Sequence, residues 1–316
     1  MFKVFIDGSA GTTGLKILDR LNSRSDVSLI TLPDEIRKDE KARKEALNSA
    51  EVAFLCLPDD AAIQAVSLIE NENVKVIDTS TAHRVKPLWA YGFPELKGKR
   101  QMIKNSKRIA NPGCHASGFV ALINPLIEAG VMEKDVYLTC FSVTGYSGGG
   151  KKMIAEYESD ERPILYGAPR QYALMQKHKH LPEMQALCSL ENAPIFCPIV
   201  ADYDCGMEVT VPIFKKDIKC SLDEIKAIYQ NAYSGKVVKF INGADESGFL
   251  SASSMKGKDG MEISVYGNED RILLVSRFDN LGKGASGAAI QNMNILLGID
   301  ETAGLNLSRR WTNENY

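Results

Sequence analysis

The chain has 316 residues, 44% of them hydrophobic and 25% charged, a composition close to that of an ordinary globular protein and long enough for one large domain or two moderate ones. Lys and Arg number 38 against 40 Asp and Glu, a formal charge of −2, so the basic surplus with which nucleic-acid binders displace counterions is missing. No apolar run approaches the ~18 residues that span a bilayer, and MFKVFIDGSAG lacks the apolar core and cleavage site of a signal peptide, so a soluble cytoplasmic protein is expected, with no membrane or nucleic-acid partner.

Residues 2–6 are a strand candidate ending near Asp7, followed by Gly8, Gly11 and Gly14; Leu15, Ile17, Leu18 and Leu21 then recur at helical spacing. A second strand is predicted over 27–32 and an exposed helix with interleaved Glu and Lys over 38–49. The run 52–57 is apolar throughout, as in a strand buried on both faces. A helix over 61–69 and a strand over 74–77 follow. This alternation implies parallel pairing through right-handed crossovers. From about residue 136 the texture is β-rich, with segments at 136–143, 195–200, 207–214, 237–241, 261–266 and 271–278, which reads as α+β with a largely antiparallel or mixed sheet. Residues 283–298 look like a late helix with a small-residue start that returns to the first domain. The expected division is therefore a first domain over 1–113, completed by the C-terminal segment 283–316, and a second over 114–282.

Strand, glycine turn and helix in this order are what a dinucleotide-binding fold requires. Glycine lets the backbone approach a pyrophosphate, and a helix N-terminus adds free N–H groups and a favourable dipole. Gly8, Gly11, Thr12, Thr13 and Gly14 are the candidate contacts, with Pro58 after the third strand. Beyond the second strand both charge signs occur, in Thr31-Leu-Pro-Asp-Glu-Ile-Arg37-Lys38. Arg37 and Lys38 either clamp the extra phosphate of NADP or are solvated charges opening a helix.

The seven cysteines (56, 114, 140, 188, 197, 205 and 220) form no CxxC pair and no regular spacing, which argues against a disulfide framework or a zinc ribbon. Cys56 and Cys140 lie in apolar runs and read as buried core. Cys114 differs. Pro112 and Gly113 force a turn before it and a helical apolar run follows, so its thiol is expected at a helix N-terminus, where open amides favour thiolate and can hold an oxyanion. A thiolate beside a nicotinamide implies attack on an activated acyl carbon and reduction of the thioester to an aldehyde, with a group titrating near neutrality moving the protons. Of the four histidines (83, 115, 178 and 180), His178 and His180 would share a face if their segment is extended, with Pro182 in the first turn of a following helix. One serves as acid/base and the other as substrate anchor, His178 being the first choice for acid/base; no third ligand makes them a metal site.

Six motifs taken together, DTSTAHR (78–84), YGFPEL (91–96), ANPGCHASGF (110–119), TGYSGGGKK (144–152), HKHLPE (178–183) and DNLGKGASGAAIQ (279–291), resemble the shorter form of the N-acetyl-γ-glutamyl-phosphate reductase family over nearly the whole chain. The resemblance implies an α/β fold: a Rossmann-like NADP-binding domain plus an α+β catalytic domain of the glyceraldehyde-phosphate/aspartate-semialdehyde dehydrogenase type. It implies NADP(H), an acyl phosphate substrate, Cys114 as nucleophile and the histidine motif as its partner.

Within that frame Tyr146–Lys151 is an amide-rich loop suited to a phosphate through Ser147, Gly149 and Lys151, or else an ordinary strand–helix loop. Arg84 pairs with the substrate's phosphate or carboxylate, or is merely solvated. Asn280 and Gly284 meet the nicotinamide carboxamide, or Gly282 and Gly284 simply shape the turn. Asp202 and Asp204 depart from the less acidic stretch expected before residue 207. The alternatives are a reductase for aspartyl or acetylated aminoadipyl phosphate, since one methylene changes binding by only ~1–3 kcal/mol, and a non-catalytic nucleotide sensor, which has no need of Cys114. A β-rich second domain suggests a homodimer or homotetramer.

Overall fold

In the first third of the chain β1 (Phe2–Asp7) runs through the glycine turn into α1 (Thr12–Asn22), followed by β2 (Val27–Ile30), α2 (Glu40–Ser49), β3 (Val52–Leu55), α3 (Asp59–Ser67) and β4 (Lys75–Asp78). Then come β5 (Ala90–Tyr91), α4 (Lys99–Asn105) and β6 (Arg108–Ala110), which periodicity in the sequence does not reveal because each strand is only two or three residues long. This is a computed structural model, and it describes residues 1–307. The six strands are all parallel, in the order β2-β1-β3-β4-β6-β5. β2 and β3 end at Ile30 and Leu55, two residues earlier than their apolar runs suggest, because Leu32 and Leu57 already belong to the loops leaving the sheet.

Side-chain alternation divides the core in two. Val4, Ile6, Phe54 and Ile77 join Ile17 and Leu21 of α1 on one face, while Phe5, Ala53, Leu55 and Val76 join Leu47 of α2 and Ala65 of α3 on the other. Every residue of β3 is fully buried, as its unbroken apolar run requires.

The second unit contains α5 (Cys114–Glu128), β7 (Thr139–Gly145), α6 (Gly150–Glu158), β8 (Arg170–Gln171), α7 (Leu181–Leu187), β9 (Ile195–Ala201), β10 (Met207–Phe214), α8 (Leu222–Ala232), β11 (Val238–Phe240), β12 (Met261–Gly267) and β13 (Arg271–Phe278). Its seven strands are ordered β11-β12-β13-β10-β7-β9-β8. The sheet is mixed: β7 with β9 and β11 with β12 are parallel, and the other pairs antiparallel. The late helix is not one element. A π-helical turn at Gly282–Ser286 precedes α9 (Gly287–Leu297), which Gly298 ends in the left-handed region at φ 72°. Ala289, Ile290 and Met293 of α9 complete the first unit's core.

By its internal packing the first unit comprises Met1–Pro94, Gly98–Pro112 and Ala285–Leu305, and the second Glu95–Lys97, Gly113–Gly284 and residues 306–307. Of the C-terminal segment expected over 283–316, residues 308–316 lie outside the described residues.

Helix α5 carries Pro125, which has no N–H to give the carbonyl of Ala121 one turn earlier. The phenol of Tyr233 fills that place, donating to Ala121 O at 2.5 Å, while Tyr229 donates to Leu122 O at 2.6 Å. Tyr233→Phe leaves Ala121 O unsatisfied and is expected to cost about 1–3 kcal/mol; Tyr229→Phe costs less, because Leu122 O keeps its helical donor. Urea unfolding of the two variants measures the difference, and equal losses would contradict it.

Candidate active site

In the first unit the strand order reverses at β1, which has β2 on one side and β3 on the other, and a cavity of about 580 Å³ opens at the carboxyl ends of these strands. Gly8, Gly11, Arg37, Lys38 and Pro58 line it, as the sequence suggests for nucleotide contacts; Thr12, Thr13 and Gly14 form the first turn of α1 beside it. Gly8 has φ +87°, and a Cβ there would run into the carbonyl of Cys56; a Cβ at Gly14 would meet the carbonyl of Gly8. Helix α1 starts with no side-chain cap and no acidic residue in its first turn. The Thr12 hydroxyl is buried without a partner among the described residues.

The charge of this cavity is one-sided. Among the described residues its only carboxylate is Asp7, which is buried and held by Arg43 through contacts of 2.9 to 3.3 Å, so the two cancel. Arg37 has an exposed 3.4 Å contact with Asp34, and Asp39 instead caps α2 by accepting from Ala42 N at 2.8 Å. Arg37 and Lys38 thus precede the helix and face the cavity. The sequence offers no clue to Arg43, one cation among many on an amphipathic helix. Burial pushes the Cys56 thiol, also on the cavity wall, up to about 12.

In the second unit Cys114 is the first residue of α5, behind Gly113 in extended conformation, with no acidic residue in the first turn. The buried carboxylate of Glu183 accepts the Gly113 amide at 2.8 Å and fixes the turn. Gly284 lies against the thiol residue: a Cβ there would stand 3.0 Å from Cys114 Cβ.

His178 and His180 converge, with ring centroids 4.7 Å apart, though not as an extended segment would bring them. His180 is helical (φ −87°, ψ −12°) at the start of α7, and its N–H donates to His178 Nδ1 at 3.1 Å. The turn, rather than strand alternation, puts both rings on one side. At the centre of the cluster stands His115, 5.7 Å from His178, 5.5 Å from His180 and 5.3 Å from Phe196 between ring centroids. Burial first, and after it the electrostatic influence of the neighbouring His178 and Lys179, lower His115 to about 3. Adjacency to Cys114 is the one sequence signal for His115; Tyr172 and Glu183 carry none.

The remaining predicted residues are placed as follows. The Asn280 amide accepts from Gly206 N at 2.8 Å and donates to Ser147 Oγ at 3.1 Å. Ser147 and Gly149 belong to a 3-10 turn before α6, whose start carries the exposed Lys151. Arg84, in the first unit, is buried and donates to Asn111 O and Thr79 O at 3.0 Å each. Asp202 binds Arg162 through two contacts of 2.7 and 2.8 Å, Asp204 pairs with Lys256 at 3.3 Å, and the Tyr203 and Asp204 carbonyls accept the Tyr146 and Ser147 amides. The acidic departure therefore braces the 145–149 turn. Among the described residues no group of three His, Cys, Asp or Glu could hold a metal, and no helix is long and apolar enough to cross a membrane.

Residues 33–106 match the semialdehyde dehydrogenase NAD binding domain, and residues 114–280 the dimerisation domain of the same family. The N-acetyl-gamma-glutamyl-phosphate reductases of Brucella ovis and Brucella melitensis are each 45% identical over 306 residues, 94% of this chain and 99% of theirs. Among solved structures, aspartate semialdehyde dehydrogenase II of Vibrio cholerae aligns at TM-score 0.70 with 16% identity, over 94% of this chain and 98% of that one. Aspartate semialdehyde dehydrogenase of Candida albicans with NADP aligns at TM-score 0.66 with 14% identity, over the same shares. At these identities the structures show a common fold.

A histidine lowered from 6.5 to about 3 binds a proton in the unfolded chain before it does so in the folded one. Its contribution is complete above pH 6.5 and is lost as pH falls towards 3, on the order of 4 kcal/mol over that span. His115→Gln removes this dependence. Unfolding free energies measured from pH 7 to 4 should show the wild type losing stability relative to the variant as pH falls; a constant difference would refute the assignment.

Proposed function

Because the chain belongs to the N-acetyl-γ-glutamyl-phosphate reductase family, within the semialdehyde dehydrogenases, we infer that it reduces N-acetylglutamyl 5-phosphate to N-acetylglutamate 5-semialdehyde with NADPH, releasing phosphate, in arginine biosynthesis. The observation that carries this reading is the Cys114 thiol at an open helix N-terminus next to a histidine cluster in which His115 and His180 are buried. NADP(H) suits the first unit's cavity. The unpartnered Thr12 hydroxyl and the amides of Thr12, Thr13 and Gly14 at the start of α1 offer donors to a pyrophosphate, Gly8, Gly11 and Pro58 leave it room, and Arg37 and Lys38 answer a 2′-phosphate. Asn280 and Gly284 of the second unit are assigned to the nicotinamide end. When bound, the cofactor supplies the hydride that reduces the acyl group.

Cys114 Sγ attacks the acyl-phosphate carbon; the C–S bond forms and the carbon–oxygen bond to phosphate breaks, leaving a thioester. The amides of the first turn of α5 stabilise the thiolate and the acyl oxyanion. Asn280 donates into Ser147 Oγ, which leaves the Ser147 hydroxyl proton for an anion. Ser147, Gly149 and Lys151 are assigned to the substrate phosphate, whereas Arg84 is committed to the carbonyls of Asn111 and Thr79. Reduction of the thioester gives a hemithioacetal oxyanion, which needs a proton and then must lose it as the C–S bond breaks and the thiolate departs.

We assign that proton to His180. The Nδ1 lone pair of His178 accepts the His180 amide, so the proton of neutral His178 sits on Nε2, and the ring serves as a fixed donor that anchors substrate. This reverses the order preferred from sequence alone.

The chain carries its family's dimerisation domain, and we propose a homodimer formed through the sheet face opposite α5. There Phe141 and Leu273 are 43% and 40% exposed on the face that Thr210 and Pro212 share. Light scattering should give twice the mass of one chain; the mass of one chain or of four would refute it. Seven free cysteines suit the reducing cytoplasm, where we place the enzyme.

Phosphate-dependent reduction of NADP+ tests the reaction. N-acetylglutamate semialdehyde should give a higher kcat/KM than aspartate semialdehyde or acetylated aminoadipate semialdehyde, and a preference for either of these would move the substrate. Cys114→Ser should lower kcat by about 10³-fold or more with NADPH affinity retained, and His180→Asn should lower kcat more than His178→Asn. Turnover by Cys114→Ser near the wild-type rate would remove the covalent route.

A further inference from the structure

Three side chains form an unbroken hydrogen-bonded chain beside the nucleophile. Ser142 Oγ lies 2.6 Å from His115 Nδ1, and Tyr172 Oη lies 2.8 Å from His115 Nε2. Ser142 is fully buried on β7 and His115 is 4% exposed. The direction of the chain follows from counting its hydrogens. A neutral imidazole has one N–H, so three polar hydrogens are available for two links. If Tyr172 donated to Nε2, the imidazole proton would go from Nδ1 to Ser142 Oγ, and the Ser142 hydroxyl hydrogen would be buried with no acceptor among the described residues. A buried hydroxyl left so is costly. In the opposite direction Ser142 donates to Nδ1, Nε2–H donates to Tyr172 Oη, and both buried hydrogens are used. The phenol hydrogen of Tyr172 is then the one left over, and His115, already occupying Tyr172 Oη as a donor, cannot accept it.

We infer that Tyr172 is a hydrogen-bond donor to the Cys114 thiolate, its phenol proton turned towards the sulfur by the buried Ser142–His115 pair.

The surroundings support this role. Burial, and after it the charge of Cys114, raise the Tyr172 ionisation, so the phenol keeps its proton and stands within the field of that sulfur. His115 stays neutral, which preserves the single-N–H count. The ionisable groups packed on the chain are Cys114, His178, His180 and Lys179. The segment bearing Tyr172 is held on β9: Tyr172 N donates to Pro198 O at 3.0 Å, and the Gln176 amide both donates to Phe196 O and accepts from Phe196 N, at 2.8 Å each. A donor to a thiolate lowers the cost of forming it and makes it a better leaving group from the hemithioacetal. His115 and Ser142 act through the phenol and are positioning residues.

The inference rests on Cys114 being the reactive thiol proposed above, and its test needs no acyl substrate. Labelling of Cys114 in the full-length protein by iodoacetamide at neutral pH, followed on the Cys114 peptide by mass spectrometry, should slow about tenfold in Tyr172→Phe. In the reductase assay the same variant should lose about tenfold or more in kcat, with KM for the acyl phosphate within about threefold. Ser142→Ala should give a smaller loss of labelling rate, and the double variant should label no more slowly than Tyr172→Phe alone, because the serine acts only through the phenol. Labelling in Tyr172→Phe within about twofold of the unsubstituted protein, or a Ser142→Ala effect that persists in full without the phenol, would overturn the inference. Labelling that responds as described in a protein that does not turn over the acyl phosphate would fault the substrate assignment and leave this role standing.

Discussion

The buried carboxylate of Glu183, accepting the amide of Gly113, ties together the two segments on which the proposed chemistry depends. Gly113 sets the turn that makes Cys114 the first residue of α5, and Glu183 stands three residues beyond His180 in the first turn of α7. A carboxylate is costly to bury unless its oxygens find donors, so folding α7 brings its own demand for the Gly113 amide. The thiol turn and the histidine segment cannot then drift independently. The Gln176 side-chain amide, paired with Phe196 of β9, fixes the same segment from its other end.

Around that link the histidines divide their roles by environment. His115, sealed among aromatic rings, is held neutral and serves as a fixed donor and acceptor. His178 is oriented by a backbone amide, which in the proposed mechanism leaves the proton to His180. In the first unit a similar rule governs charge. Asp7 at the end of β1 could oppose a polyanionic ligand, but Arg43 neutralises it from α2, and Arg37 and Lys38 set the sign of the cavity. Asp202 and Asp204 are likewise matched by Arg162 and Lys256, so an acidic stretch serves to brace a loop.

Much of this fold is legible in the sequence because burial leaves a periodic trace. The unbroken run at Val52–Leu55, the glycines after β1 and the helical spacing of α1 each follow from one local constraint. Strands β5, β6 and β8, with two or three residues each, leave no period to detect, and the start of α9 is hidden because the small residues of GKGASG suit a π-helical turn as well as an α-helix. For the site, Cys114 is legible from the Pro–Gly turn before it, and the histidine pair from its rarity. Its partners are not. Tyr172 and Ser142 reach His115 from 57 and 27 residues away, and Glu183 reaches Gly113 across 70, separations that no local pattern encodes.

In the proposed reaction the acyl group passes through a covalent bond to Cys114. Its most direct measurement is a single turnover in reverse: the enzyme mixed with N-acetylglutamate semialdehyde and NADP+ while phosphate is withheld. The expected result is a burst of one NADPH per active site, followed by arrest, with the N-acetylglutamyl group found as a thioester on the Cys114 peptide. A burst with the acyl group on another residue, or sustained turnover without phosphate and with Cys114 unmodified, would contradict it.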